Sequence, residues 1–274
     1  MPEETQPESG VRVSHEAGVA TVTLCRPAKR NAFDDGVVEA LFEAFAALAQ
    51  DESVRAVILE GEGKVFSAGA DLEWMRRMVT APKDANLEDA MKLADLYELI
   101  AVMPKAVIAK VQGAALGGGA GLVAAADIAV AAEGTKFGFT EARLGIVPAV
   151  ISPYVVQKIG AGQARRWFVT GSRMDAAEAL RIGLVHQVVA PDDLDGAAKA
   201  LAFEVLQCGP RAVGLCKELV EDVVGGLAMS AAVEDGFEAV KQYTAQQIAE
   251  ARVSKEGQEG LRAFLDKRKP RWAE

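Results

Sequence analysis

The sequence predicts an α/β fold in which a wound core is followed by a helical C-terminal region. Two observations predict it. Short β-branched runs alternate with helical stripes over most of the 274 residues, and from Asp192 onward only helical patterns remain. Half of the residues are hydrophobic, which is enough for a sizeable core. We therefore predict a polar, disordered N-terminus at residues 1–10, an α/β core at 11–191 and a helical region at 192–274.

The first half of the core begins with a predicted hairpin. Val11–Val13 and Val19–Leu24 are β-branched and flank a Glu-Ala-Gly turn. A helix follows, capped at Asp34 or Asp35, with an apolar stripe of Val38, Leu41, Phe45 and Leu48. The next patterns predict, in chain order, a strand at Ala56–Leu59, a helical turn at Leu72–Met78, a mobile loop at Thr80–Asn86, and a helix at Leu87–Met103. We expect the last helix to present Met91, Ala94, Tyr97 and Ala101 on one face and to stop at Pro104.

The second half of the core alternates in the same way. We predict strands at Val107–Val111, Ile128–Ala132, Lys136–Phe139 and Val185–Val189, and helices at Leu122–Ala126, Val150–Ile159, Ala164–Thr170 and Ala176–Arg181. The C-terminal region predicts four helices, at Asp193–Gln207, Arg211–Val224, Ala231–Ala249 and Lys255–Lys267.

A glycine cluster lies where an apolar strand meets a helix. Its members are Gly117, Gly118, Gly119 and Gly121. Such a cluster indicates that the backbone bends sharply or passes close to another group. The free N–H groups of a helix start can bind an anion, or an oxygen that becomes negative during a reaction. A close-packed corner of the domain is the alternative, and the residues alone leave both open.

Two nucleotide-binding motifs are excluded at this cluster. A Walker loop requires Lys and then Ser or Thr after the last glycine, whereas Leu122 and Val123 follow here. The dinucleotide fingerprint fails because no glycine stands three residues after Gly119. The remaining functional interpretation of the glycines is a backbone donor for an oxyanion.

Glu141 is the strongest candidate for acid–base chemistry. It follows a short predicted strand and has Phe137, Phe139 and Leu144 as sequence neighbours. A carboxylate among apolar groups has a raised pKa and can act as acid and base. A surface carboxylate paired with Arg143 explains the same residues, so both interpretations stay open.

Small residues also precede the helical turn at Leu72. The run Ser67–Ala70 would expose backbone N–H groups near a helix start. Asp71 can cap that helix. Asp71 can cap the helix while the run before it binds a ligand, so the two interpretations are compatible.

Composition and residue types exclude several classes of protein. The formal charge of −9 argues against a nucleic-acid surface, and no apolar run reaches the ~20 residues of a membrane span. Neither His15 nor His186 lies in a catalytic motif, and no cluster has metal-ligand spacing. The three cysteines are scattered, which favours a reducing, cytoplasmic location.

Three ordered motifs together resemble the enoyl-CoA hydratase/isomerase, or crotonase, superfamily. They are Phe-Ser-Ala-Gly-Ala-Asp-Leu at 66–72, Gln-Gly-Ala-Ala-Leu-Gly-Gly-Gly at 112–119, and Phe-Gly-Phe-Thr-Glu-Ala-Arg-Leu-Gly at 137–145 with Pro148 after it. The resemblance covers about residues 11–270. It implies a crotonase-like spiral of ββα units whose C-terminal helical region builds homotrimers or dimers of trimers. It also implies an acyl-CoA thioester substrate and no cofactor, since coenzyme A is part of the substrate.

The resemblance also implies roles for particular residues. The oxyanion-hole N–H groups fall on Ala70 and Gly118, and Glu141 matches a catalytic glutamate. Ala68, Ala70, Asp71 and Leu72 would line the path of the adenine and pantetheine, and Lys29 and Arg30 are candidates for the CoA phosphates.

One position departs from the pattern of the superfamily. Typical hydratases carry a second glutamate two residues after the glycine triplet, and Gly121 stands there. Either Glu141 works alone or another group helps, with Tyr97, Glu98 and Glu73 in segments that could approach the cleft. We hypothesise that the glycine makes room for a branched substrate.

The leading functional hypothesis is hydration of the C2–C3 double bond of an enoyl-CoA. The Gly-Gly-Gly-Ala-Gly-Leu and Val-Pro-Ala-Val-Ile-Ser-Pro-Tyr stretches look most like bacterial hydratases for branched, carboxylated esters, in particular 3-methylglutaconyl-CoA of leucine degradation. The alternatives are a Δ3,Δ2-enoyl-CoA isomerase that uses one glutamate and a non-catalytic CoA-ester binding protein. RNA binding, reported for one branch of the superfamily, is disfavoured by the negative charge.

Overall fold

The computed structural model describes residues 9–230 and 236–274. The chain divides into two compact units. The first runs to Ala101 and from Val107 to Ala202, and the second comprises Val102–Ala106 and Phe203–Glu274. The first unit therefore extends past residue 191, where we predict the end of the core.

The predicted disorder at the N-terminus falls mainly on residues 1–8, which lie outside the described residues. Of the remaining two, Gly10 is buried and its carbonyl accepts a hydrogen bond of 2.8 Å from the N–H of Cys25. Gly10 is thus bonded to the end of the first hairpin.

The described residues form nine strands in two sheets. In chain order they are β1 (Val11–Glu16), β2 (Val19–Leu24), β3 (Ala56–Gly61), β4 (Ala106–Val111), β5 (Ala114–Leu116), β6 (Ile128–Ala132), β7 (Lys136–Gly138), β8 (Arg173–Asp175) and β9 (Gln187–Val189). The larger sheet has the order β1-β2-β3-β4-β6-β9, and the smaller has the order β5-β7-β8. The β1–β2 pair is the predicted antiparallel hairpin, whereas β2–β3, β4–β6 and β6–β9 are parallel.

Ten α-helices accompany these strands in the described part of the chain. They are α1 (Asp35–Gln50), α2 (Leu72–Thr80), α3 (Lys83–Val102), α4 (Gly118–Ala125), α5 (Ser152–Thr170), α6 (Ala176–Arg181), α7 (Leu194–Leu206), α8 (Pro210–Ser230), α9 (Gly236–Val253) and α10 (Lys255–Leu265). Strands and helices alternate through the first unit. After β9, the described residues form helices and no further strand. The predicted α/β class is confirmed.

Helix α1 shows how the local sequence determines an element. The side chain of Asp34 accepts a hydrogen bond of 3.1 Å from the N–H of Val37, which is the predicted cap. All four residues of the predicted apolar stripe are buried, namely Val38, Leu41, Phe45 and Leu48. Capping and burial thus agree, and this helix begins where the pattern predicts.

The predicted mobile loop at Thr80–Asn86 is wrong. Helix α3 already begins at Lys83, and the side chain of Asn86 donates to the carbonyls of Met78, Ala81 and Pro82. These bonds satisfy the carbonyls where α2 ends, so a tight turn replaces a long loop. Helix α3 buries Leu96, Tyr97 and Ile100. Of the residues predicted to share one face of this helix, Tyr97 is buried and Met91 is half exposed.

The glycine cluster lies inside helix α4 instead of before it. The helix begins at Gly118, four residues earlier than the apolar pattern predicts, and residues 119–125 are all buried. The three-residue strands β5 and β8 were not predicted, because so short a segment shows no alternation. The two helices predicted at Val150–Ile159 and Ala164–Thr170 form one element, α5, which is interrupted at Gly160, where φ is +75°.

The second unit consists mainly of helices α8, α9 and α10. The carboxylate of Glu256 accepts hydrogen bonds from the N–H groups of Arg211 and Ala212 and so caps the first turn of α8. Residues 231–235 of the predicted helix at Ala231–Ala249 lie outside the described residues. None of the helices in the described residues is long and apolar enough to cross a membrane.

Candidate active site

The first predicted oxyanion donor, Gly118, is the first residue of helix α4. Gly117 caps this helix with φ of +51° and ψ of −122°. Because it is a glycine, it contributes no side chain to the cap. The N–H of Gly117 donates to the carbonyl of Gly138 at 2.8 Å, which ties the turn to β7. The N–H of Gly118 has no acceptor among the described residues, as expected for the first turn of a helix. This N–H points away from the helix with the positive end of the helix dipole behind it.

The second predicted donor, Ala70, is oriented by a parallel bridge to Phe33. The N–H of Phe33 donates to the carbonyl of Gly69, and the N–H of Asp71 donates to the carbonyl of Phe33, both at 2.9 Å. Because Phe33 bonds to the residues on either side of Ala70, the N–H of Ala70 points to the opposite side. It has no acceptor within the described ranges.

A second bridge brings the two donor segments together. Ser67 pairs with Ala115, so the chain before Ala70 runs beside the chain before Gly118. The approach is close at Gly69, where a Cβ atom would lie 2.6 Å from the carbonyl oxygen of Leu116 and 3.5 Å from the nitrogen of Gly118. Gly69 also has φ of +88°. Only glycine fits there, since both the space and the backbone conformation exclude a side chain.

The carboxylate of Glu141 lies beside the same turn. A Cβ atom on Gly117 would lie 3.4 Å from Oε1 of Glu141. Oε2 is buried and has no hydrogen-bond partner among the described residues. Burial raises the pKa of Glu141 above its ordinary value, and a bond from its own backbone N–H opposes the shift only in part. No ion pair joins Glu141 to Arg143 in the described residues, and the stem of Arg143 packs against Gly171 instead.

The hypothesis that Gly121 leaves space for a branched substrate is wrong. A Cβ atom at Gly121 would lie 2.3 Å from Cγ2 of Ile151 and 3.0 Å from Cζ of Tyr97. Gly121 is buried, as are Ile151 and Tyr97. Protein side chains therefore fill the space next to the helix, and the glycine is required by close packing.

Among the three residues that could assist Glu141, only Tyr97 reaches the turn. Its hydroxyl donates a hydrogen bond of 2.8 Å to the carbonyl of Gly118. Burial, followed by the nearby charge of Glu141, raises the pKa of Tyr97 far above its ordinary value. Glu98 is exposed, and Glu73 is exposed and paired with Lys29.

The residues predicted to contact CoA lie on the same side of the first unit in two adjoining segments. Asp71 is buried, and its carboxylate accepts the N–H of Glu73 at 2.8 Å, so it caps α2 as predicted. Lys29 forms ion pairs of 3.0 Å with both Asp71 and Glu73. Burial alone would raise the pKa of Asp71, but the Lys29 ammonium and these hydrogen bonds lower it below its ordinary value.

The other members of the predicted CoA contacts are more accessible. Arg30 is exposed, has φ of +55°, and forms no ion pair with the described residues. Its carbonyl accepts the N–H of Ala68 at 3.0 Å, which connects the basic loop to the donor segment. Leu72 is 69% exposed. Of the two predicted phosphate contacts, Lys29 and Arg30, Arg30 is thus the one that has no carboxylate partner in the described part of the chain.

Sequence reasoning missed two residues that shape the site. Asn31 is buried, and its side chain accepts the N–H of Arg26 and donates to the carbonyls of Glu62 and Val65. It therefore fixes the basic loop. Ile151 lies far from the glycine cluster in sequence, so no local pattern connects them. For Asn31, the sequence offers only a weak signal of this role, namely a polar residue between Arg30 and Ala32.

Metal-binding and histidine-based sites receive no support. The described residues contain no group of three or more His, Cys, Asp or Glu side chains that could hold a metal ion. Nδ1 of His186 accepts the N–H of Ala129 at 3.0 Å, a structural contact.

Comparison with known proteins identifies the family. The family model described as "Enoyl-CoA hydratase/isomerase" matches residues 14–274. The chain belongs to this family. It resembles the crystal structure of an enoyl-CoA hydratase from Shewanella pealeana, with 39% identity, a TM-score of 0.90 and 96% of both chains covered. It is 33% identical to carnitinyl-CoA dehydratase of Salmonella arizonae, over 96% of this chain and 97% of that protein. It is 31% identical to the short-chain-enoyl-CoA hydratase of Clostridium acetobutylicum, over 95% of this chain and 96% of that protein.

These comparisons confirm the predicted crotonase-like fold with its C-terminal helical region. They also support a hydratase-type enzyme acting on an acyl-CoA thioester. The roles that the resemblance implies for individual residues stay predictions.

Proposed function

We propose that the protein hydrates the C2–C3 double bond of an enoyl-CoA, with Glu141 as the single acid and base. One observation carries this proposal: the buried Oε2 of Glu141 makes no hydrogen bond with the described residues and lies beside the turn that presents the N–H of Gly118. A buried, unpartnered carboxylate oxygen is costly in a folded protein and is typical of functional sites.

The proposed reaction begins with the thioester carbonyl between the N–H groups of Ala70 and Gly118. The ionised carboxylate of Glu141 takes a proton from water while the water oxygen bonds to C3. The electron pair of the double bond moves toward the thioester oxygen, where the two N–H groups stabilise the negative charge. Protonated Glu141 then gives the same proton to C2. Water is consumed, the hydroxyl group is on C3, and the carboxylate is restored.

The raised pKa of Glu141 suits both halves of this cycle. A carboxylate of ordinary pKa is a weak base and holds a proton too briefly to return it. Burial brings its pKa closer to the working pH, so the proton is accepted more readily from water. The chemistry requires neither a metal nor a redox cofactor, because protonation and hydrogen bonding carry each step.

For the acyl chain we propose a branched, carboxylated ester, specifically 3-methylglutaconyl-CoA of leucine degradation. The sequence motifs that resemble hydratases of such esters support this choice. Gly121 supports it through charge, because the position of the second family glutamate carries no negative group that would repel an acyl carboxylate.

The test of this proposal is turnover of a short panel of CoA esters by the purified protein. We expect hydration of 3-methylglutaconyl-CoA with a kcat/KM above that for crotonyl-CoA. Hydration of crotonyl-CoA alone would retain the hydratase and overturn the branched substrate. Tight binding of every ester without turnover would favour a CoA-ester binding protein.

One observation favours a second candidate, the Δ3,Δ2-enoyl-CoA isomerase. A single carboxylate is sufficient to move a proton between C4 and C2, and Glu141 is the sole carboxylate that the described residues place at the donor turn. Deuterium oxide separates the two reactions. Hydration by one carboxylate introduces deuterium from solvent at C2, whereas isomerisation returns much of the substrate's own hydrogen to that carbon.

We propose that the protein assembles as a homotrimer, or a dimer of trimers, through the helical region, and acts in the cytoplasm. Large hydrophobic side chains are exposed on the second unit, including Phe237, Val253, Phe264 and Leu265 at 70–81% exposure. Exposed large apolar side chains of this kind are typical of surfaces that become buried on association. Light scattering after size exclusion tests this, and a folded, active monomer at low concentration would contradict it. Cys25, Cys208 and Cys216 form no disulfide among the described residues, which suits a reducing compartment.

A further inference from the structure

Tyr97 holds the residue that presents the N–H of Gly118. It lies on α3 with no exposed surface, and its hydroxyl donates to the carbonyl of Gly118 at 2.8 Å. A Cβ atom on the same glycine would lie 2.6 Å from Cζ of Phe33 and 2.9 Å from the hydroxyl oxygen of Tyr97. An aromatic edge and a hydroxyl group therefore both pack closely against Gly118.

The start of α4 needs such a contact because its own residues cannot hold it. Gly117, Gly118, Gly119 and Gly121 have the largest conformational freedom of any residue type. The cap residue Gly117 contributes no side-chain hydrogen bond. The direction of an oxyanion donor must nevertheless be fixed before the reaction, since a preorganised donor is what stabilises developing charge.

Tyr97 is not suited to proton transfer itself. Its hydrogen is donated to a backbone carbonyl, and burial together with the charge of Glu141 keeps the phenol neutral. The neighbouring ring of Tyr154 lies 5.9 Å away between centroids, so the Tyr97 ring is held in place by packing. Any effect on the reaction must therefore pass through Gly118.

We propose that Tyr97 is a positioning residue that orients the oxyanion donor of Gly118. This inference rests on the proposed function. Its consequence is that removing one oxygen atom, which itself transfers no proton, lowers the polarisation of the bound thioester carbonyl. The expected loss is smaller than the ~10²–10³ in kcat that follows complete removal of an oxyanion donor. We expect Tyr97→Phe to lower kcat about 10-fold with KM changed less than about 2-fold.

The test combines kinetics with the absorption spectrum of a bound cinnamoyl-CoA ester, whose maximum moves to longer wavelength when its carbonyl is polarised. We expect a clear red shift with the wild-type protein, a reduced one with Tyr97→Phe, and the full shift with Glu141→Gln. Tyr243→Phe is the matched control, because it deletes the same atom from a hydroxyl that bonds Asp222 in the second unit. This control should keep both kcat and the red shift.

The outcomes separate the two proposals. A full red shift or an unchanged kcat in Tyr97→Phe overturns the positioning role and leaves the hydratase intact. No red shift with the wild-type protein contradicts the proposed oxyanion site itself. If Tyr97→Phe melts below the assay temperature, all variants are compared at a temperature below its melting midpoint, where it is folded. A full red shift in folded Tyr97→Phe at that temperature overturns the positioning role.

Discussion

Gly121→Ala tests whether close packing explains the glycine that replaces the second family glutamate. The new Cβ atom would lie 2.3 Å from Cγ2 of Ile151 and 3.0 Å from Cβ of the same residue. Ile151 is buried and branched, so its side chain cannot swing aside as a flexible terminus would. The variant therefore overpacks the start of α4.

The size of the effect follows from two opposing contributions. Overpacking a core costs ~1–3 kcal/mol, and the shortest contact places this site in the upper part of that range. Replacing glycine by alanine in a helix returns ~0.8–1 kcal/mol. We expect a net loss of ~1–2 kcal/mol in the free energy of unfolding, which lowers the melting temperature by about 2–8 °C in a chain of this size.

Chemical and thermal unfolding of matched variants measure this loss. Gly162→Ala in α5 is the control, because nothing lies within 4 Å of its Cβ position and the residue is exposed. It should be as stable as the wild type or slightly more stable. Ile151→Ala removes the obstructing methyl group, so adding Gly121→Ala to that variant should cost little or nothing. Equal stability of Gly121→Ala and Gly162→Ala would refute the packing explanation.

Three further predictions concern ionisation and CoA binding. Because burial raises the pKa of Glu141, the acid limb of kcat/KM should titrate above the ordinary 4.5, and a limb at or below 4.5 would contradict this. Burial also means that the folded protein loses stability as the pH rises through the raised pKa. Glu141→Gln should therefore melt higher than the wild type at pH 8, with the difference vanishing below about pH 4 in paired thermal scans. Arg30→Gln should raise KM for a CoA ester about 2- to 5-fold and leave KM for the N-acetylcysteamine thioester unchanged, since the latter lacks the phosphates; equal effects on both would exclude phosphate contact.

Local patterns predicted the elements whose residues decide their own conformation. The apolar stripe and the cap of α1 determine that helix, and β-branched runs determine the first hairpin. The predicted start of α4 was wrong because the first turn of this helix contains glycines, which have low helix propensity. These glycines pack closely against Phe33, Tyr97 and Ile151. Tertiary contacts outweigh propensity there.

The site was predictable to the extent that its motifs are local. Glu141 and the two glycine-rich segments stand in motifs of fixed order, and the structure brings them to one turn. The position of Ile151 was not predictable, since a residue 30 positions beyond Gly121 in the sequence fills the space beside it. The absence of a side chain in a sequence therefore does not indicate a free volume in the fold.

The central claim is that Glu141 alone transfers the protons, and turnover by Glu141→Gln tests it most directly. Glutamine keeps the size of the side chain and removes its ability to accept a proton from water. We predict that kcat for the best ester of the panel falls about 10²–10⁴-fold, the usual contribution of general acid–base catalysis. Binding of the cinnamoyl-CoA ester and its red shift should persist. A variant that keeps more than half of the wild-type activity would contradict the mechanism.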